Sequence, residues 1–412
     1  MVPAQAAPLR VAIDATPLLG VRTGIGVFTR GALSVLATRP DLDLVGYGLT
    51  WTGYRKLAGV LPPGVRACRL PMAAGPLLRI WRRLDAPVIE WWTGPVDVVH
   101  GTNYVVPPAR RAARVVSVHD LTAVRFPELC TPTARMYPDL VRRALAGGAM
   151  VHTLTSVVAA EVMDTFGVGP ERVRAVAPAF DRPVRSTGDR TGAGSDGVGL
   201  EPGLTGAGPT LVPPVASHPY VLALGMVEPR KDLPVLVRAF DAVASGHRDL
   251  RLVIAGPAGW GEDALTAAIA SARHRAAIDR LGWVTDEHRA ALLEGASVLA
   301  FPSRDEGFGL PPLEAMAAGV PVVATAAGAI PEVVGDAALL VPVGDTDALA
   351  AALVRVLDDS EERARLIEAG TRRAAWYTWE RCADGLATLY HDASQAGEVD
   401  RRRRWDGVGR RR

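Results

Sequence analysis

The chain has 412 residues, enough for two ordinary domains. With 49% hydrophobic and 22% charged residues and a net charge of +2, it has the make-up of a packed globular protein. No basic face with aromatic platforms marks a nucleic-acid binder.

Three widely spaced cysteines, Cys68, Cys130 and Cys382, form neither a disulfide framework nor a metal-ligand spacing and read as reduced, buried thiols. No charged stretch followed by an apolar core opens the chain, and no apolar run reaches the ~18 residues of a membrane span. The sequence therefore predicts a cytoplasmic protein.

In chain order, LRVAID (Leu9–Asp14), VDVVHG (Val96–Gly101) and ARVVSVHD (Ala113–Asp120) read as short apolar strands. Helical spacing falls at Phe28–Ala37 and Tyr137–Leu145, so the first half reads as parallel βαβ units. From Arg185 to Ser217 the composition turns to Gly, Ser, Thr and Pro, which predicts a disordered linker or insertion. The alternation then restarts. PYVLALG (Pro219–Gly225), LRLVIAG (Leu250–Gly256), SVLAFPS (Ser297–Ser303) and VPVVAT (Val320–Thr325) are predicted strands. Predicted helices lie at Leu233–Ala244, Glu262–Arg275, Glu287–Glu294 and Leu313–Ala318. A last helix spans about Thr378 to Ala393, and the tail from Arg401 to Arg412 has no packing pattern.

Ser303 to Met316 carries the most chemistry. A strand ends near Pro302, a glycine-bearing loop follows, and two prolines open a helix, where a missing N–H costs nothing. The free amides of such a first turn lie at the positive end of the helix dipole and suit an anion. Glu306 on the loop and Glu314 in the helix are acceptor-only groups suited to sugar and ribose hydroxyls. Before another helix lie Arg230 and Lys231, and Lys231 is one of only two lysines in the chain. Fixed cations stabilise the charge that develops on a departing diphosphate. Thr23-Gly24-Ile25-Gly26 follows the first strand, and His119-Asp120 closes another at the end where open parallel sheets bind ligands; His100 and Asn103 stand at a similar strand end. Asp345-Thr346-Asp347 mimics a metal-binding DxD but directly precedes a helical run, so helix capping accounts for it. Leu77 to Leu84 mixes bulky apolar and basic residues. This suits either a partly buried helix with snorkelling arginines or contact with an anionic membrane surface, to which the tail arginines would add.

EGFGLPPLEAMAAGVPVVAT resembles the signature of family-four retaining glycosyltransferases, whose two glutamates eight positions apart are here Glu306 and Glu314. The resemblance extends from about Val11 to Tyr390. It implies a GT-B fold, two Rossmann-like doubly wound α/β domains facing across a cleft. The implied division is an acceptor-side domain at 1–184, a linker or insertion at 185–217 and a nucleotide-sugar domain at 218–376. A crossover helix at 377–393 and a disordered basic tail at 394–412 complete it. The resemblance makes Glu306 a contact of the transferred sugar and Glu314 the holder of the ribose. It assigns the sugar and phosphate to the amides of Phe308, Gly309 and Leu310. EPRK resembles the donor-phosphate loop of Arg230 and Lys231, with Asp232 where asparagine is frequent, and GIGVFTR resembles a glycine loop in which Gly24 and Gly26 meet the donor. His119 joins the catalytic set. The serine-rich turn usual before IPEVVGDAA is replaced by Ala326-Ala327-Gly328-Ala329.

The implied activity is retaining, metal-independent transfer of a hexose, mannose first, from GDP-mannose or a UDP-hexose, with no cofactor. The implied acceptor is a cell-wall, polysaccharide or lipid-linked saccharide. A nucleotide-sugar 2-epimerase and a non-catalytic sugar-nucleotide binder are the alternatives.

Overall fold

The computed structural model describes residues 7–20, 23–180 and 218–409, with main chain alone from 398. The linker expected at 185–217 lies outside the described residues. Two compact units emerge, residues 1–180 with 377–412, and residues 181–376.

The first unit holds β1 (Leu9–Asp14), β2 (Leu42–Tyr47), β3 (Arg66–Ala67), β4 (Val98–Gly101), β5 (Ala113–Val118), β6 (Met150–Thr153) and β7 (Val173–Ala175). They form one parallel sheet in the order β3-β2-β1-β4-β5-β6-β7. Every residue of β4 is buried, as expected for strands covered on both faces. The helix Gly24–Leu36 covers β1, and Thr23 caps it by accepting the Gly26 amide at 3.2 Å. Gly31 on this helix is the seat of Trp379, because a Cβ there would lie 2.1 Å from the indole.

The second unit holds β8 (Tyr220–Leu224), β9 (Arg251–Ala255), β10 (Ile278–Gly282), β11 (Val298–Phe301), β12 (Val322–Thr325) and β13 (Ala338–Val341), in the parallel order β10-β9-β8-β11-β12-β13. The strand order reverses between β8 and β11, the switch point at which such sheets bind ligands beyond their carboxyl ends. The helix Thr346–Asp358 is capped by Asp345, whose carboxylate accepts the Ala348 amide at 2.9 Å. Cys68 and Cys382 are buried thiols, whereas Cys130 is only half-buried.

The last helix, Trp379–Gly409, belongs to the first unit and departs from the sequence reading. A stop near Ala393 and a disordered tail from 394 were expected, yet the helix runs on. No proline interrupts 377–409, and arginine is among the better helix formers.

A buried polar chain joins this helix to the sheet. His152 Nε2 lies 3.0 Å from the Val176 carbonyl, which can only accept, so Nε2 carries the proton. His152 Nδ1 must then accept from Ser117 Oγ at 2.8 Å, and Ser117 Oγ in turn accepts from His100 Nε2 at 2.8 Å. His100 Nδ1 is left to accept the Tyr390 hydroxyl at 2.8 Å. With both imidazoles neutral, as their burial favours, one carbonyl thus sets the direction of four hydrogen bonds. His100, which the sequence places at a strand end similar to that of His119, is a structural member of this chain. Burial holds the His100 imidazolium well below its usual range and brings that of His152 down to about 4.

A base with a lowered folded pKa binds fewer protons folded than unfolded, so stability is lost as pH falls below the unfolded value. Asp14, whose carboxyl burial raises to about 6, acts in the opposite sense, but His100, His119 and His152 outnumber it. For His152 alone, 6.5 to about 4 corresponds to roughly 3 kcal/mol. The expected result is a melting temperature that falls steadily from pH 6.5 to pH 4.5, with a shallower slope in His152→Gln. An unchanged slope in that variant would show that the chain does not control acid stability.

Candidate active site

The candidate site of the second unit is built where β8 and β11 end side by side. After β8 the chain passes Gly225 and a single 3₁₀ turn, Pro229–Lys231, and enters the helix Leu233–Val243 through Asp232. Asp232 has φ 46°, the left-handed region that asparagine and aspartate tolerate best, so the substitution noted in the sequence keeps the geometry. After β11 the loop from Pro302 leads to Gly309, at φ 102°, and the helix Leu310–Ala317. A Cβ on Gly309 would lie 2.6 Å from Ile330 Cδ1, so the turn admits only glycine. The helix starts at Leu310, three residues earlier than expected, because both prolines fit inside its first turn.

Arg230, Lys231 and Glu306 come together. Glu306 Oε1 receives Lys231 Nζ at 2.5 Å, an Arg230 guanidinium nitrogen at 2.8 Å and Ser303 Oγ at 2.9 Å. Arg230 also pairs with Glu228 at 2.6 Å, and its carbonyl accepts the Arg304 amide at 2.7 Å, which ties the two loops together. Lys231 Nζ stands 4.6 Å from the centre of the Phe301 ring, a cation–π contact. Burial alone would raise the Glu306 carboxyl, but the charges of Arg230 and Lys231 outweigh it and hold it at about 2. Burial lowers the Lys231 ammonium from its usual value; Glu306 opposes this and Arg230 adds to it.

Phe308, Gly309 and Leu310 follow in the same loop and helix start. The loop backs onto the departure at residues 326–329. The Ala329 amide donates to the Glu306 carbonyl at 2.8 Å, and a Cβ on Gly328 would lie 2.3 Å from that oxygen. Main-chain contact therefore replaces any serine hydroxyl there. Glu314 is buried in the helix and bound by Arg289, from the helix Asp286–Gly295.

Sequence reasoning missed Ser303, Glu228 and Arg289. Ser303 lay three residues from Glu306 and was within reach of a spacing argument. Arg289 sits on a separate helix with no local signal.

The remaining expected residues belong to the first unit. Gly24 and Gly26 stand in the first turn of a helix, where a glycine loop was expected. The Gly26 amide is taken by Thr23, and a Cβ at Gly26 would meet the Pro17 carbonyl at 3.0 Å, so close packing accounts for that glycine. His119 is buried, and its Nε2 donates to the Thr102 carbonyl at 2.7 Å. In the neutral ring that burial favours, its Nδ1 is therefore an acceptor. Burial also lowers its imidazolium, more than the Thr102 bond and Asp120 raise it.

Residues 214–373 match the family model for group 1 glycosyl transferases. The chain is 28% identical to O-antigen chain mannosyltransferase B of Escherichia coli, over 71% of this chain and 74% of that protein. It is 32% identical to D-inositol 3-phosphate glycosyltransferase of Salinispora arenicola, over 74% of this chain and 68% of that protein. In fold it resembles sucrose-phosphate synthase from Thermosynechococcus elongatus, with a TM-score of 0.68 at 17% identity, covering 94% of this chain and all of the other. The chain belongs to the group 1 glycosyltransferase family and has the two-domain GT-B fold.

The shared carboxylate yields a test. Glu306→Gln leaves Arg230 and Lys231 without their common counter-ion, so the unliganded protein should lose about 1–3 kcal/mol, discounted for the partial exposure of both cations. GDP or UDP should then raise the melting temperature of the variant more than that of the unaltered protein, because the diphosphate replaces the lost charge. An equal or smaller rise would show that nucleotide does not engage these cations.

Proposed function

We propose that the chain transfers a hexose, mannose first, from GDP-mannose or a UDP-hexose to a saccharide or lipid-linked acceptor with retention of anomeric configuration. The observation that carries this reading is the Arg230–Lys231–Glu306 cluster at the switch point of the second unit. Two half-buried cations suit a diphosphate leaving group, and a carboxylate beside them suits hydroxyls of the sugar it carries. The amides of Phe308, Gly309 and Leu310 add donors at a helix start. Glu314, oriented by Arg289, accepts from the ribose hydroxyls. The mannosyltransferase named among the relatives favours mannose.

In the proposed reaction the acceptor hydroxyl oxygen bonds to the anomeric carbon on the face from which the diphosphate departs. The bond from that carbon to the phosphate oxygen breaks. The hydroxyl proton passes to the departing phosphate oxygen, so the products are a glycoside and a nucleoside diphosphate. Arg230 and Lys231 take up the charge a divalent ion would otherwise balance, and activity should persist in EDTA.

No helix among the described residues is long and apolar enough to cross a membrane. The helix Ala74–Trp81 buries Leu77, Leu78 and Trp81 and turns Arg79 and Ile80 outward, with Leu84 exposed just beyond. That outer face supports peripheral contact with an anionic surface.

A thermal-shift series tests the donor. GDP-mannose or UDP-glucose should raise the melting temperature, by the equivalent of about 2.7 kcal/mol at a hundredfold excess over its dissociation constant. Lys231→Ala should abolish most of the shift and lower transfer at least tenfold. No response to any nucleotide sugar would remove the reading.

A further inference from the structure

The edge of the first unit's sheet carries a surface that the proposed reaction leaves unused. Trp51 and Trp91, 66% and 70% exposed, are the two most exposed of the large apolar side chains among the described residues, and Leu70 is exposed as well. Hydrogen bonds draw these three to one edge from distant positions. Beyond β2 and β3 the Cys68 amide donates to the Gly46 carbonyl at 2.8 Å, and the Met72 amide to the Thr50 carbonyl at 2.9 Å. The Trp92 indole N–H donates to the Pro71 carbonyl at 3.0 Å, and Cys68 Sγ to the Trp92 carbonyl at 3.3 Å. Trp51, Leu70 and Trp91 each adjoin one of these tied residues, Thr50, Pro71 and Trp92. Trp92 spends its polar atom inward, and Trp91, with its ring centroid 6.4 Å away, is left facing out.

The surrounding charge has one sign. Residues 51–93 include seven basic and two acidic side chains, and neither acid is left to oppose the bases. Glu90 accepts the amides of Arg110, Arg111 and Ala112 through one oxygen, and Asp85 pairs with Arg143 at 3.2 Å. Lys56, Arg69, Arg79 and Arg83 are exposed and have no carboxylate partner among the described residues. The buried Trp81 donates its indole N–H to the Pro87 carbonyl at 3.0 Å, which holds the return on which Arg83 and Leu84 are exposed. The match to the family model, at 214–373, does not include this stretch and does not account for it. Exposed indoles are unfavourable in water and favourable in a headgroup layer, which takes both an apolar ring and an N–H. Unopposed cations beside them match the phosphates of anionic lipids, whereas an uncharged ligand would leave those cations unanswered.

We propose that Trp51, Leu70 and Trp91 insert into the headgroup layer of a bilayer rich in anionic lipid, with Lys56, Arg69, Arg79 and Arg83 set against its phosphates. This rests on the peripheral-contact reading of the helix Ala74–Trp81 and moves the anchor to the tryptophan edge beside it. The cations attract the surface, and the rings hold the chain to it.

The test is sedimentation of the full chain with vesicles of phosphatidylcholine alone and of phosphatidylcholine mixed equally with phosphatidylglycerol. Quenching of tryptophan fluorescence by brominated lipid is read on the same samples. The unaltered protein should bind the mixed vesicles and not the neutral ones, and should be quenched. Trp51→Ala combined with Trp91→Ala should weaken binding roughly tenfold and remove most of the quenching. Its melting temperature and its thermal shift with nucleotide sugar should hold, because both rings are exposed. Arg79→Gln combined with Arg83→Gln should also weaken binding and reduce its dependence on salt. Unchanged binding in the tryptophan variant, with loss in the arginine variant, would overturn the proposal and keep the peripheral-contact reading. Failure of the unaltered protein to bind mixed vesicles would overturn both. A dimer in solution that the tryptophan variant dissolves, with no vesicle binding, would assign the edge to a second copy of the chain and overturn the proposal.

Discussion

Two half-buried cations side by side call for an anion. Arg230 and Lys231 share a 3₁₀ turn, and taking both out of water is costly unless an anion answers them. Without ligand, that anion is Glu306, which one oxygen places against both cations and Ser303. The local architecture serves this arrangement. Asp232 takes a left-handed turn to start the next helix, Gly309 takes another, and Gly328 lies flat against the Glu306 carbonyl. The same residues that would receive a diphosphate are thus held in place before it arrives. Under the proposed function its binding would exchange one anion for another and leave neither cation unbalanced.

Much of the second unit was legible because its signals are local. Apolar runs marked the strands, while the glycines, prolines and glutamates at fixed spacing lie within one continuous segment, 303–316, and the cations within the loop 228–232. The pairing of Glu306 with residues 75 positions earlier followed only from the parallel sheet that sets β8 beside β11. Arg289 was not legible for the same reason, since nothing near it in sequence marks the helix that carries it to Glu314. The first unit hid more. His119 was found by its place at a strand end, but its tautomer depends on a carbonyl 17 residues earlier. The φ of 58° at Tyr104 has no sequence signature, because tyrosine does not announce a positive φ. The extension of the last helix was missed because a lack of core-facing pattern was read as disorder, although helix propensity alone carries no such requirement.

The buried chain from Tyr390 through His100 and Ser117 to His152 shows what a satisfied polar network contributes to such a fold. Each donor meets an acceptor and no imidazole needs a charge. The network therefore costs little in desolvation while joining the last helix to the sheet. Only the Tyr390–His100 bond of the four reaches that helix, and it ties the helix to β4, while the other three run across the sheet beneath it.

Both units repeat the same strand order around their first strand, yet they place different chemistry at the ends of those strands. The second unit ends its switch point in an arginine and a lysine that share one carboxylate. The first ends β1 in the buried carboxyl of Asp14 and follows β5 with the neutral imidazole of His119. A common fold carries dissimilar chemistry at its two sets of strand ends because parallel sheets fix where the loops lie and leave the loop residues to decide what they offer.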